Sequence, residues 1–304
     1  MTSKLCLIRM VFAANLIFAG IATSADLAAA HPSNKPSTSD GVSHFANVEG
    51  LRVHYKSYGK GREALVFVHG WCCNLDFWSG QTAAFESRTR VIAVDLPGHG
   101  MSDKPQIAYT MDLFARAVDA VLRDAGVDRA VFIGHSMGTP VIRQFYRKFP
   151  AKTLGLVIVD GPLRPFGDAE AVKKFTEPLR GPNYKEAAGK FIDLMLGQVS
   201  PTMREQIKTS MLSTPQNVSI SAMESMSDPV IWKEDKIEVP VLAIMAKSPF
   251  LPADGEQSYR SIAPKLDYQV WTGVSHFLMM EKPAEFNDAV AKFLSKNKLL
   301  LKRI

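Results

Sequence analysis

The 304-residue sequence holds only 3 cysteines. Cys6 lies in the N-terminal segment read below as a signal, which leaves Cys72 and Cys73 side by side. Neighbouring cysteines pair only through a strained ring, so there is no disulfide framework and packing must hold the fold. No apolar run reaches the roughly 20 residues that cross a bilayer comfortably. Charged residues make up 22% of the chain, and the net charge of +6 is diffuse apart from a basic end at 296–303. That distribution argues against a nucleic-acid partner. There is no His-Glu-x-x-His, no Cys-x-x-Cys and no Gly-rich phosphate loop, so neither metal nor cofactor is expected. Hydrophobic residues are 46% of the total, and 20 Gly and 18 Pro are ordinary numbers, which excludes disordered, collagen-like and coiled-coil classes.

Residues 1–25 read as a secretory signal. Lys4 and Arg9 give a positive start, residues 10–22 are apolar apart from Asn15, and small residues follow. Cleavage after Ala25 or Ala30 would give a secreted or periplasmic protein with no stable membrane insertion. Residues 26–45 read as a flexible leader, because 31–40 are polar and rich in Pro and Ser.

The rest of the chain alternates short β-branched runs with helical patterns, the mark of an α/β fold with a mostly parallel sheet covered on both faces. Strands are expected at 51–56, 64–68, 91–94, 130–133, 156–159, 241–245 and 268–271, most of them continuous apolar runs. Residues 112–125 form a helical pattern that Gly126 stops. The alternation places a first core part at 46–161 and a second at 239–304. Between them, 162–238 carries helical patterns without a good strand and reads as an inserted cap. Asn183 with Glu186 makes a capping signal, and Ser200-Pro201 opens a further helix. Five of the 13 methionines (Met195, Met203, Met211, Met223 and Met226) fall in this cap and suggest an adaptable apolar surface. Asn217-Val218-Ser219 matches a glycosylation sequon, which matters only in a eukaryotic secretory host.

The most informative stretch is Gly134-His135-Ser136-Met137-Gly138, preceded by a buried strand and followed by a helical pattern. This is a Gly-x-Ser-x-Gly nucleophile elbow in its expected context. The tight turn raises the Ser136 hydroxyl above the sheet edge, and the following helix start offers its positive end and the Met137 N–H. Three further motifs follow apolar strands in order: His69-Gly70-Trp71, residues 95–100 (Asp-Leu-Pro-Gly-His-Gly) and residues 273–277 (Gly-Val-Ser-His-Phe).

With these motifs the chain resembles the α/β-hydrolase superfamily from about Val48 to Leu294, and most of all its capped carboxylesterases, haloperoxidase-type esterases and carbon–carbon bond hydrolases. The resemblance implies His276 as the base for Ser136. It also implies an oxyanion hole built from the backbone N–H groups of Trp71 and Met137, which is where the physics of a developing negative charge would put donors. The acid departs from the commoner pattern, since residues 246–252 hold no carboxylate where most relatives carry one. Two candidates keep the order serine, acid, histidine. Asp160 ends the strand after the nucleophile strand and is favoured; Asp254 opens a capping box with Gln257. The expected activity is hydrolysis of a small to medium apolar carboxylic ester through an acyl-enzyme. Carbon–carbon, lactone or perhydrolase chemistry on the same residues remains open, as does ligand binding without catalysis. The oligomeric state is left open.

Overall fold

The computed structural model describes residues 40–165, 168–248 and 251–300. The signal segment 1–25 and the leader up to residue 39 lie outside the described residues. Of the leader, 42–45 is corrected: it belongs to strand β1 (Val42–Val48), which pairs antiparallel with β2 (Leu51–Tyr58) through a turn at Glu49 and Gly50. The hairpin was hidden because β1 is an edge strand with much of its length exposed, so it lacks the continuous apolar run that marks the buried strands.

Six strands follow: β3 (Glu63–Val68), β4 (Arg90–Val94), β5 (Arg129–His135), β6 (Thr153–Val159), β7 (Val241–Ala246) and β8 (Leu266–Trp271). The sheet order is β1-β2-β4-β3-β5-β6-β7-β8, parallel from β4 to β8 and antiparallel at the two β2 pairings. All seven expected strands are present, each extended by one to three residues. The central strands are buried on both faces, which is why they read as unbroken apolar runs.

Helices α1 (Ser79–Phe85), α2 (Met111–Asp124) and α3 (Gly138–Lys148) connect the first half of the sheet. Thr110 caps α2 by accepting from the Leu113 N–H, and Gly126 ends it in a left-handed conformation. Between β6 and β7 lie α4 (Ala169–Thr176), α5 (Tyr184–Leu196), α6 (Pro201–Met211) and α7 (Gln216–Glu224), with no strand among the described residues. Helices α8 (Gly255–Ile262), α9 (Leu278–Glu281) and α10 (Pro283–Lys296) complete the core.

Ser200 caps α6 as expected, with its hydroxyl accepting from the Met203 N–H. Asn183 and Asp254 do not act as the sequence suggested: each stands at a helix N-cap without a side-chain cap bond. Side-chain capping needs an extended residue at that position. Asn183 (φ −90°, ψ 31°) and Asp254 (φ −95°, ψ 13°) are nearly helical, so their backbone carbonyls take the first amides instead. Of the cap methionines, Met211, Met223 and Met226 are buried packing residues, while Met195 and Met203 are partly exposed.

Three buried imidazoles, His69, His99 and His135, sit under the sheet's C-terminal edge. Burial, reinforced by nearby His69, pushes His99 down from 6.5 to about 3. Burial likewise lowers His69, and burial with neighbouring His276 holds His135 well below its ordinary value. In the unfolded chain these groups protonate near 6.5, whereas the folded protein keeps them neutral. The unfolded state therefore binds more protons below that pH, and stability falls as the solution is acidified. Urea unfolding should show a loss that begins near pH 6.5 and, for His99, continues toward about 3, at up to about 1.4 kcal/mol per pH unit for each histidine still neutral in the folded state. A free energy of unfolding that stays flat between pH 6.5 and 5, above the range of ordinary carboxylates, would contradict these burial assignments.

Candidate active site

The site begins with strain at the end of β5. Ser136 has φ of +52°, a left-handed conformation that non-glycine residues adopt only when their surroundings impose it. Its N–H donates to the Val159 carbonyl on β6, and its own carbonyl accepts from the Thr139 N–H. The bend also needs two glycines. A Cβ on Gly134 would stand 2.5 Å from the Gly138 carbonyl oxygen, and one on Gly138 would stand 2.5 Å from that of Val68. Both distances are shorter than any real contact, so the elbow closes only because those side chains are missing.

Parallel pairing brings the carboxylate to the same edge. His135 of β5 lies opposite Val159 of β6, so Ser136 and Asp160 each come one residue later on neighbouring strands. Asp160 is itself left-handed, with φ of +41°, and its N–H donates to the Ile244 carbonyl of β7. The bend carries its carboxylate sideways over the end of β7. There Oδ1 accepts from the Ala246 N–H at 2.8 Å, and Oδ2 lies 2.7 Å from His276 Nδ1. A carboxylate can only accept, so Nδ1 carries the proton and Nε2 is left as the basic nitrogen. The pair is largely enclosed, with side-chain exposures of 18% for His276 and 17% for Asp160.

The loop carrying His276 is pinned from several sides. Glu281 accepts from the Ser275 N–H and hydroxyl, and the His276 N–H donates to the Met195 carbonyl of the cap at 3.3 Å. His135 Nε2 donates to the His276 carbonyl at 2.9 Å, and the two rings stand 4.7 Å apart. Sequence reasoning gave His135 only a structural context. Its role in holding the predicted base has no sequence signal beyond its place in the elbow. The structure does not draw a hydrogen bond from the Ser136 hydroxyl to His276; such bonds often tighten only around substrate.

Asp254, the other carboxylate considered, is exposed at the start of α8 and makes no bond to His276. Trp71 and Met137 flank the elbow, both buried. Among the described residues, neither backbone N–H donates to a backbone carbonyl, which leaves two donors available near Ser136. Trp71 is followed by Cys72 at φ of +57°. His54 and His69 serve the loops behind. Asp95 accepts from His54 Nδ1 and from the Leu75 and Met101 amides, while His69 Nε2 accepts from the Leu96 N–H.

The fold and this arrangement define an α/β-type hydrolase. The model of the alpha/beta hydrolase family matches residues 65–289, and the chain belongs to that family. Among curated relatives it is 27% identical over 285 residues to a 2-hydroxy-6-oxononadienedioate/2-hydroxy-6-oxononatrienedioate hydrolase of Paraburkholderia phymatum, covering 84% of this chain and 97% of the relative. It is 26% identical over 259 residues to the dihydrolipoyllysine-residue acetyltransferase component of an acetoin cleaving system from Cupriavidus necator, covering 82% and 68%. Among solved structures it resembles Est816, an N-acyl homoserine lactone degrading enzyme, with a TM-score of 0.71 and 27% identity over 82% of this chain and 100% of that one.

Proposed function

We propose that the protein is a serine hydrolase of carboxylic esters, with Ser136 as nucleophile, His276 as base and Asp160 as the carboxylate that orients the base. The observation that carries this reading is the 2.7 Å contact between His276 Nδ1 and Asp160 Oδ2 at the sheet edge where Ser136 sits in a strained turn. Ser136 Oγ attacks the ester carbonyl as His276 Nε2 takes its proton, and the N–H groups of Trp71 and Met137 receive the developing oxyanion. The protonated imidazole, held against Asp160, then gives its proton to the leaving alcohol. Water, activated by the same imidazole, attacks the acyl-enzyme and releases the acid. The methionines of the cap support a small to medium apolar substrate, and the N-terminal segment supports export to a secreted or periplasmic location.

Hydrolysis of a lactone or of a carbon–carbon bond is the second reading, favoured by the activities for which two of the relatives are named. A panel of short- and medium-chain p-nitrophenyl esters, an N-acyl homoserine lactone and a vinylogous 1,5-diketone separates the two. Turnover of the linear esters with the highest kcat/KM supports the proposal. Selective turnover of the lactone or diketone, with the linear esters inert, would replace it.

A further inference from the structure

The loop bearing the Trp71 N–H is fastened to the cap by a closed set of buried hydrogen bonds. The Trp71 indole N–H donates to the Ser219 carbonyl of α7 at 2.8 Å. The Cys72 carbonyl accepts from the Thr214 hydroxyl, in the turn between α6 and α7, at 3.1 Å. The Cys72 thiol lies 3.1 Å from the Ser219 hydroxyl oxygen, which also meets the Tyr184 hydroxyl of α5 at 2.5 Å. The Ser219 hydroxyl also reaches the Pro215 carbonyl and the Tyr184 hydroxyl the Thr214 carbonyl, each at 3.2 Å, so whichever hydroxyl donates to the other, the Ser219 oxygen accepts from the thiol. Burial pushes the Cys72 thiol up to about 12, which keeps it a protonated donor. Ser219 and Thr214 are 0% and 5% exposed.

The conformation of Cys72 shows what these bonds are for. At φ of +57°, a left-handed conformation, a residue with a side chain is strained relative to its ordinary conformations. Relaxation of Cys72 would rotate the 71–72 and 72–73 peptide units and, through the first of them, shift the Trp71 backbone that carries the proposed oxyanion donor. The cap clamps Cys72 at its carbonyl and thiol and clamps Trp71 at its indole. Helix α7 is in turn seated on the core, since the Ser221 hydroxyl accepts from the Tyr109 N–H and Val218 packs where Gly98 has no side chain. Ser219, the last residue of the sequon, is thus fully committed inside the protein.

We infer that the cap sets the oxyanion hole, with Thr214, Ser219 and Tyr184 as positioning residues that hold the Trp71 N–H on target through Cys72 and the Trp71 indole. The inference rests on the proposed serine mechanism and concerns the transition state rather than substrate affinity. A donor displaced by a fraction of an ångström still admits the substrate but meets the oxyanion poorly.

The test uses the mature protein and the best ester of the panel. Thr214→Val keeps the shape of the side chain and removes the hydroxyl, whereas Thr214→Ser keeps the hydroxyl and removes a methyl. Thr214→Val should lower kcat about tenfold or more with KM within about twofold, and Thr214→Ser should stay within about threefold of wild type. Tyr184→Phe, one bond further out, should lower kcat by a smaller factor in the same pattern. Affinity for a trifluoromethyl ketone, whose Ser136 adduct carries an oxyanion, should fall in step with kcat across the series. Equal kcat for the Val and Ser variants, or losses that appear in KM or only in melting temperature, would overturn the inference. If wild type neither turns over an ester nor is labelled by a fluorophosphonate, the mechanism itself fails. If wild type does both and the variants keep kcat, the inference alone fails.

Discussion

Ser136→Ala should reduce ester kcat by on the order of 10⁵- to 10⁶-fold, to the level left by binding and backbone donors alone. It should also abolish labelling by a fluorophosphonate probe. The size follows from the mechanism: without Oγ there is no acyl-enzyme, and His276 and Asp160 have no proton to move. The fold should survive, because the bend at Ser136 is held by backbone bonds to Val159 and Thr139 and by the missing side chains of Gly134 and Gly138. Alanine keeps the Cβ that serine already accommodates there. Melting temperature and circular dichroism should match wild type, so lost activity reports chemistry. Labelling of the alanine variant at the wild-type rate would mean that another residue is the nucleophile.

Asp160→Asn should lower kcat by about 10⁴-fold, the second largest effect, while Asp254→Asn stays within about threefold of wild type. The amide is nearly isosteric, and its oxygen can still accept from Ala246. The other arm of an asparagine, placed toward His276, presents an N–H donor or a neutral oxygen. It either favours the tautomer that puts the proton on Nε2, where the base must be free, or leaves the imidazolium without a counter-charge. Steady-state kinetics on both variants decides the matter. A severe loss for Asp254→Asn with an active Asp160→Asn would transfer the role to α8.

The legibility of this site differed from residue to residue. Ser136 was readable because its requirements are local: a strand, a turn that two small residues must permit, and a helix all lie within residues 129–148. His276 was readable from its loop after the last strand. Asp160 could be ranked above Asp254 only by supposing that β5 and β6 are neighbours and that a capping box already engages Asp254. What no local pattern could show is that Asp160 turns left-handed, reaches across to the Ala246 amide and fills the place above β7 where the sequence has no carboxylate. The capping signals at Asn183 and Asp254 failed for a related reason, since a side-chain cap depends on the backbone angles of the entering loop.

The sequence by itself determined the class of this protein: buried parallel strands, an elbow serine, a late histidine and an inserted helical segment, all written in patterns a few residues long. Tertiary structure alone decided which carboxylate meets the histidine, that His135 holds the loop of the base, and that Ser219 and Thr214 grip the strained turn beside Trp71. These contacts join positions about 110 to 150 residues apart in the chain. Hydrophobic periodicity specifies which face of an element is buried, but hydrogen bonds between distant loops depend on the directions in which the sheet and cap finally aim them.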